Sequence, residues 1–167
     1  MYHPRGHHFH AMTNDVQSLY LEDIAVGQTF ESAPHVLTVE EIKDFAGRYD
    51  PQFFHLDDEA ARESLFGGLA ASGWHTASMM MRVFADSFLS DVSSQGSPGL
   101  DELRWYHPVR PGDTLFVRAV VLEARLSKSK PELGVMRTRT EVHNQNHELV
   151  LSSTAANFIR RRPAGKT

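Results

Sequence analysis

Cysteine is missing from all 167 residues. That absence excludes disulfides, thiolate zinc sites, iron–sulfur clusters and cysteine nucleophiles, and it fits a cytoplasmic protein. Long apolar runs are missing too. A membrane-spanning helix needs about 20 mostly apolar residues, and the best stretch, Trp74 to Leu89, is broken by Arg82 and Asp86. No membrane partner is therefore expected. Nor is there an excess of positive charge, because 17 Lys and Arg face 21 Asp and Glu for a net charge of −4. A mildly acidic chain is poorly suited to binding nucleic acid, which rests on cations against phosphate. Internal repeats and low-complexity linkers are absent as well.

The first segment, MYHPRGHHFHAM, lacks the apolar core of a secretory signal. It holds His3, His7, His8 and His10, four of the ten histidines. Pro4 and Gly6 interrupt it and no apolar periodicity follows, so residues 1–12 are expected to be a disordered leader, a cloning remnant or a misassigned start rather than a metal site. Residues 13–167 are expected to form one domain. Hydrophobic residues make up 41% and charged residues 23%, the composition of an ordinary globular chain. A chain of this size buries about 70% of its unfolded surface and needs no staple.

Periodicity divides the body into a helical first half and a strand-rich second half. Gly27 to Leu37 alternates loosely and predicts a first strand. Thr38-Val39-Glu40-Glu41 is a capping-box pattern, followed by Val39, Ile42, Phe45, Ala46 and Tyr49 on one helical face. Pro51 ends that helix by Asp50. A short helix from Asp58 to Ser64 is expected behind an Asp57 cap, then a Gly67-Gly68 loop. Trp74 to Leu89 reads as one long helix capped by Ser72, with Ala77, Met80, Met81, Phe84 and Phe88 as its apolar stripe. Strands are expected at Leu103–His107, Leu115–Ala124, Val135–His143 and Leu149–Ile159, joined by short connections that imply antiparallel pairing. The sum is an α+β domain in which a sheet wraps one long, buried helix.

Residues able to carry chemistry lie between Tyr49 and Trp74. Asp50 and His55 stand five apart across Pro51, so a bent loop can bring a carboxylate and an imidazole to one small volume, a pairing suited to proton transfer through water. Spacing alone favours an Asp turn cap and a packed histidine over that chemistry. Phe53 and Phe54 supply either a dry wall or core. At the start of the long helix, Ala70-Ala71-Ser72-Gly73-Trp74 places free backbone amides beside a glycine, which favours an anion or a developing oxyanion.

The stretch from Asp50 to Trp74 resembles the MaoC-like dehydratase or (R)-specific enoyl-CoA hydratase family. The family pattern runs Asp-x-Asn-Pro-hydrophobic-His-x-Asp, then a Phe/Gly-rich loop, then His-Gly at a central helix. Here Asp50, His55 and Asp57 keep the spacing, Phe66-Gly67-Gly68-Leu69-Ala70 resembles the loop, and Ser72-Gly73 stands in place of His-Gly. Gln52-Phe53 replaces Asn-Pro, with proline directly after Asp50. The turn Val109 to Leu115 also fits, and the likeness runs from about residue 20 to residue 160. It implies a hot-dog fold, an antiparallel sheet around a long central helix, usually a homodimer or a higher homo-oligomer. It implies reversible hydration of an enoyl thioester carried by coenzyme A or acyl carrier protein. No metal and no cofactor beyond that carrier is implied. Asp50 would be the base, His55 would share the water, and the Gly73 amide would polarise the thioester carbonyl. Ser72 and Trp74 are substrate-binding candidates, although Trp74 reads first as a core residue. Lys128 and Lys130, in a cationic connection from Arg125 to Pro131, are candidates for the coenzyme A phosphates, with Arg110 a weaker one. His75 and His107 read as structural or surface residues, and Arg160 to Arg162 as a solvated tail.

Two other readings stand beside the hydratase. A hot-dog thioesterase would use a carboxylate on the helix, for which Asp86 is the candidate. A non-catalytic acyl-thioester-binding module would be marked by loss of Asp50 or His55, and both are present.

Overall fold

The computed structural model describes residues 18–89 and 92–164, so the histidines of the leader lie outside the described residues. A 3-10 turn, Leu21–Asp23, precedes β1 (Thr29–Glu31) and β2 (His35–Val36). The single first strand expected over Gly27 to Leu37 is thus two short ones. Ser32 still exchanges hydrogen bonds with Val117 of the neighbouring chain segment, but the strand breaks over Ala33 and Pro34, where proline has no amide to give the ladder. Four helices follow: α1 (Val39–Tyr49), α2 (Phe53–Leu56), α3 (Asp58–Arg62) and α4 (Gly73–Phe84). The chain ends in β3 (Gly99–Trp105), β4 (Thr114–Leu126), β5 (Leu133–His143) and β6 (Leu149–Arg160).

Three of the four helix starts carry a local side-chain cap. Thr38 accepts from the Glu41 amide while Glu41 reaches back to the Thr38 amide, the expected capping box on α1. Asp57 accepts from the amides of Glu59 and Ala60 at α3. Ser72 accepts from the Trp74 amide at α4. Two corrections concern α4. Its α-helical part stops at Phe84, and Ala85–Leu89 continue as a π-turn. Its buried stripe is Thr76, Met79, Met80 and Phe84, while Met81 is exposed.

All strand pairs are antiparallel, in the order β1-β4-β5-β6-β3, with β2 also paired to β4. Along β5 every second residue from Gly134 to Val142 is buried, the period of a sheet with one covered face. That face meets α4 in two apolar clusters. One joins Met79 and Met80 to Leu115, Val117, Val142 and Leu151, and reaches the connections through Leu69, Ala71 and Val109. The other joins Phe84 and Phe88 to Val121, Met136 and Ile159. The sheet wrapped on a helix is the hot-dog arrangement. Its far end is sealed by Arg161 and Arg162, which pair with Glu22 and Asp23. The expected arginine tail is therefore tied down, because β6 runs on to Arg160 and carries the next two residues against the first turn.

Candidate active site

Helix α1 ends where Pro51 forbids another turn, and Asp50 is its C-cap. The chain restarts at once as α2, which places His55 one turn on, 4% exposed. His55 Nδ1 lies 2.7 Å from the Ala70 carbonyl oxygen. A carbonyl only accepts, so Nδ1 carries the ring proton, and in the neutral imidazole Nε2 is a bare acceptor. That Nε2 faces Asp50 Oδ2 at 3.4 Å.

Both carboxylate oxygens of Asp50 are held from outside. Gln52 Nε2 donates to Oδ1 at 2.7 Å, and the Ser72 hydroxyl donates to Oδ2 at 2.7 Å. Ser72, fully buried, also caps α4, so one side chain fixes both the helix start and the carboxylate. Burial pushes the Asp50 pKa up. The Ser72 and Gln52 hydrogen bonds, joined by His55 when its ring is charged, outweigh it, and the carboxyl sits below its ordinary value. Asp50 is therefore ionised at neutral pH.

These groups open on a cavity of about 450 Å³ lined by Asp50, His55, Phe66, Gly73, Trp74 and Trp105 among others. Gly73 is the first residue of α4, and its amide has no carbonyl behind it in the helix. The Trp105 indole N–H donates to the Gly73 carbonyl at 2.8 Å, and its ring covers the glycine so closely that a Cβ would lie 2.8 Å from it. Glycine is required here for that approach. Trp74, expected in the core or along the acyl tunnel, is exposed, lines the cavity and packs edge-on against Trp105.

The structure thus brings Asp50, His55, Ser72, Gly73 and Trp74 together. It does not bring Lys128 and Lys130 to them within one chain. They occupy the β4–β5 connection at the end of the sheet where Leu133 pairs with Arg160, while the site lies where Trp105 pairs with Leu151. Nine residues of strand separate the two ends, about 30 Å. Arg110 turns away from the cavity. Its guanidinium donates to the carbonyls of Phe66, Gly68 and Leu69. Reading along the chain missed Gln52, Trp105 and His107, all of which line the cavity. Gln52 alone carried a local signal, an amide two residues past a candidate carboxylate. Among the described residues no cluster of three or more histidines and carboxylates is placed to hold a metal ion, and no helix is long and apolar enough to cross a membrane.

The model of the MaoC like domain matches residues 23–146. The chain belongs to the MaoC-like dehydratase family. A crystal structure of a MaoC-like dehydratase from Rhodospirillum rubrum is 48% identical, with a TM-score of 0.79 over 87% of this chain and 99% of that one. An uncharacterised Bacillus subtilis protein, YdeM, is 28% identical over 142 residues, 84% of this chain and 99% of its own length. An (R)-hydratase from Pseudomonas aeruginosa, at 24% identity, shares the hot-dog fold with a TM-score of 0.70 over 87% of this chain and 88% of that one.

Proposed function

We propose that this MaoC-like protein catalyses the reversible hydration of a trans-2-enoyl thioester to the 3-hydroxyacyl thioester, with coenzyme A or acyl carrier protein holding the acyl group. The observation that carries the reading is the facing pair of acceptors, Asp50 Oδ2 and His55 Nε2, 3.4 Å apart on the wall of a cavity that also presents the first amide of α4. A water donating one hydrogen to each acceptor turns its lone pair toward the cavity. When its oxygen bonds to the β-carbon, the alkene electron pair moves toward the thioester carbonyl. The charge that develops on that oxygen meets the Gly73 amide, a donor already fixed in place. The proton that leaves the water passes to the Asp50–His55 pair and is returned at the α-carbon, so the pair ends as it began. Dehydration runs the same steps backwards, beginning with removal of the α-proton.

The low pKa of Asp50 supports a division of labour. An anion held by Ser72 and Gln52 orients the water and balances the imidazolium that forms when the bare Nε2 of His55 takes the proton. Trp74 and Trp105 form the wall against which the acyl thioester lies. A thioesterase reading finds no support at Asp86. It sits in the π-turn, about 20 Å along the helix from Gly73, and pairs with Arg82.

The test is to follow the conjugated thioester absorbance of crotonyl-CoA and a longer enoyl-CoA while free thiol is read in parallel. Absorbance loss without thiol release, abolished by Asp50→Asn, is the expected result, and thiol release would move the protein to the thioesterases. We also propose a homodimer. Strand β3 is an edge of the sheet, and Leu100 and Trp105 on it and Tyr106 beside it are exposed. Bare ladder groups and large apolar side chains together favour a covering partner. A monomeric mass in sedimentation equilibrium would reject it.

A further inference from the structure

The turn Arg110-Pro111-Gly112-Asp113 is held on three sides. The Asp113 carboxylate accepts from the Arg110 amide at 2.7 Å and from Gln145 Nε2, in the β5–β6 hairpin, at 2.8 Å. The Gly112 amide donates to the Leu37 carbonyl, and Asp113 returns an acceptor to the Leu37 amide. From this anchored turn the Arg110 side chain reaches across to the connection between α3 and α4. Nη1 donates to the Gly68 carbonyl at 2.8 Å and the Leu69 carbonyl at 3.2 Å, and Nη2 donates to the Phe66 carbonyl. Three carbonyls turned inward within four residues need a donor, and Gly67 and Gly68, both at positive φ, give the chain that shape.

The next residue in that connection is Ala70, whose carbonyl accepts from His55 Nδ1. Phe66, at the start, packs with Phe54 against the His55 ring. The loop therefore decides both the tilt of the imidazole and which nitrogen carries its proton. We propose that Arg110 is a positioning residue: by clamping the Phe66–Leu69 carbonyls it holds Ala70 where its carbonyl keeps His55 in the Nδ1–H form, with Nε2 bare toward Asp50. Arginine is required because only its planar fork spans three carbonyls, whereas lysine offers a point charge on a flexible stem. This inference rests on the hydratase reading for its kinetic consequence, but its structural content does not depend on turnover.

The experiment uses Arg110→Lys and Arg110→Gln in the full chain, with two readouts. The first is long-range proton–nitrogen NMR of the histidines, with His55 assigned by its loss in His55→Gln. The expected wild-type signature is Nδ1–H, Nε2 bare, and both Arg110 variants lose that single tautomer while the fold is retained by circular dichroism. An unchanged His55 pattern in Arg110→Lys overturns the proposal, whether or not the protein turns over enoyl thioesters. The second readout is kinetic. Crotonyl-CoA is compared with the crotonyl thioester of N-acetylcysteamine, which has no phosphates. Positioning predicts that kcat falls about tenfold to 100-fold on both substrates with little change in KM, the scale of losing a placed catalytic group by a fraction of an ångström to an ångström. A rise in KM confined to crotonyl-CoA would instead make Arg110 a phosphate contact. A lower melting temperature with unchanged kcat would make it a structural staple. Either result overturns the proposal. A wild-type protein inert on both thioesters but with the expected His55 change in the variants would reject the hydratase reading and keep Arg110 as the residue that sets the tautomer.

Discussion

At its first turn α4 presents Ser72, Gly73 and Trp74 to a carboxylate, a cavity and an indole. At its other end Phe84 and Phe88 meet Phe30, Val121, Met136 and Ile159. The first end meets Asp50 through the Ser72 hydroxyl and Trp105 through the Gly73 carbonyl and the Trp74 ring, and its hydrogen bonds fix where groups point. The second end is apolar, with Phe88 1% exposed, and its contacts are area removed from water. One helix thus separates two kinds of consequence. Damage at the start should appear in rate with little loss of stability, and damage at the end should appear in stability with little loss of rate per folded molecule.

The sharpest break at the first end is Asp50→Asn. It keeps the shape and removes the charge, and kcat is expected to fall about 10²- to 10⁴-fold, the usual worth of a placed acid–base group. Thermal melting checks the other half of the statement, with a midpoint close to wild type. The matching break at the second end is Phe88→Ala, which opens a hole between Phe30 and Phe84. A loss of about 3 to 5 kcal/mol in denaturant unfolding is expected, with kcat per folded molecule retained. If Phe88→Ala instead lowered kcat while stability held, the division along the helix would be wrong.

Gly73→Ala probes the seam, because packing and chemistry meet there. The new methyl would lie 2.8 Å from the Trp105 ring, so the indole must shift and drop its bond to the Gly73 carbonyl. Overpacking of this kind costs about 1 to 3 kcal/mol, and kcat should fall as well since the same residue offers the amide. A double-mutant cycle with Trp105→Ala separates the two. The stability cost of Gly73→Ala should largely vanish in the Trp105→Ala background, where nothing opposes the methyl.

What could be read from the chain follows the same line. Asp50, His55, Ser72 and Gly73 were singled out by the family resemblance, and local chemistry accounts for only part of their placement: a proline fixes the bend after Asp50 and a cap fixes the start of α4, while Ser72 reaches Asp50 across 22 residues. The wrapped helix was legible because its periodicity is local too. Gln52 aside, the groups that complete the site come from far along the chain. Trp105 reaches Gly73 and Arg110 reaches the Phe66–Leu69 carbonyls only because the sheet register brings strand ends beside α4. No spacing rule carries that register. Lys128 and Lys130 show the converse. A cationic connection resembles a phosphate site in sequence, yet the length of β4 and β5 places it at the other end of the molecule.

A smaller effect sharpens the role of Ser72. Ser72→Ala removes one of the two hydrogen bonds that hold the Asp50 pKa down, while burial, which pushes it up, remains. The folded carboxyl is ionised above its pKa and protonated below it. With the depression weakened, the Asp50 carboxyl should titrate at higher pH, read by carbon-13 NMR of that carboxyl against pH. An unshifted Asp50 titration would mean that Ser72 serves only as the helix cap.

The smallest expected effect lies one residue past Trp74. His75 turns from the cavity and stacks on Phe45 of α1 with ring centroids 4.7 Å apart, and its Nδ1 is buried without a hydrogen-bond partner among the described residues. Burial lowers its pKa below the ordinary value of 6.5, with Glu41 opposing. The unfolded chain therefore takes up this proton more readily than the folded one. Stability from a neutral His75 is complete above the ordinary histidine pKa and declines as pH falls below it, until the folded pKa is reached. His75→Leu should flatten that part of the stability–pH curve in urea titrations while leaving kcat at neutral pH unchanged. If kcat fell instead, His75 would belong to the chemical end of the helix, and the boundary between the two ends would have to be drawn beyond the first turn.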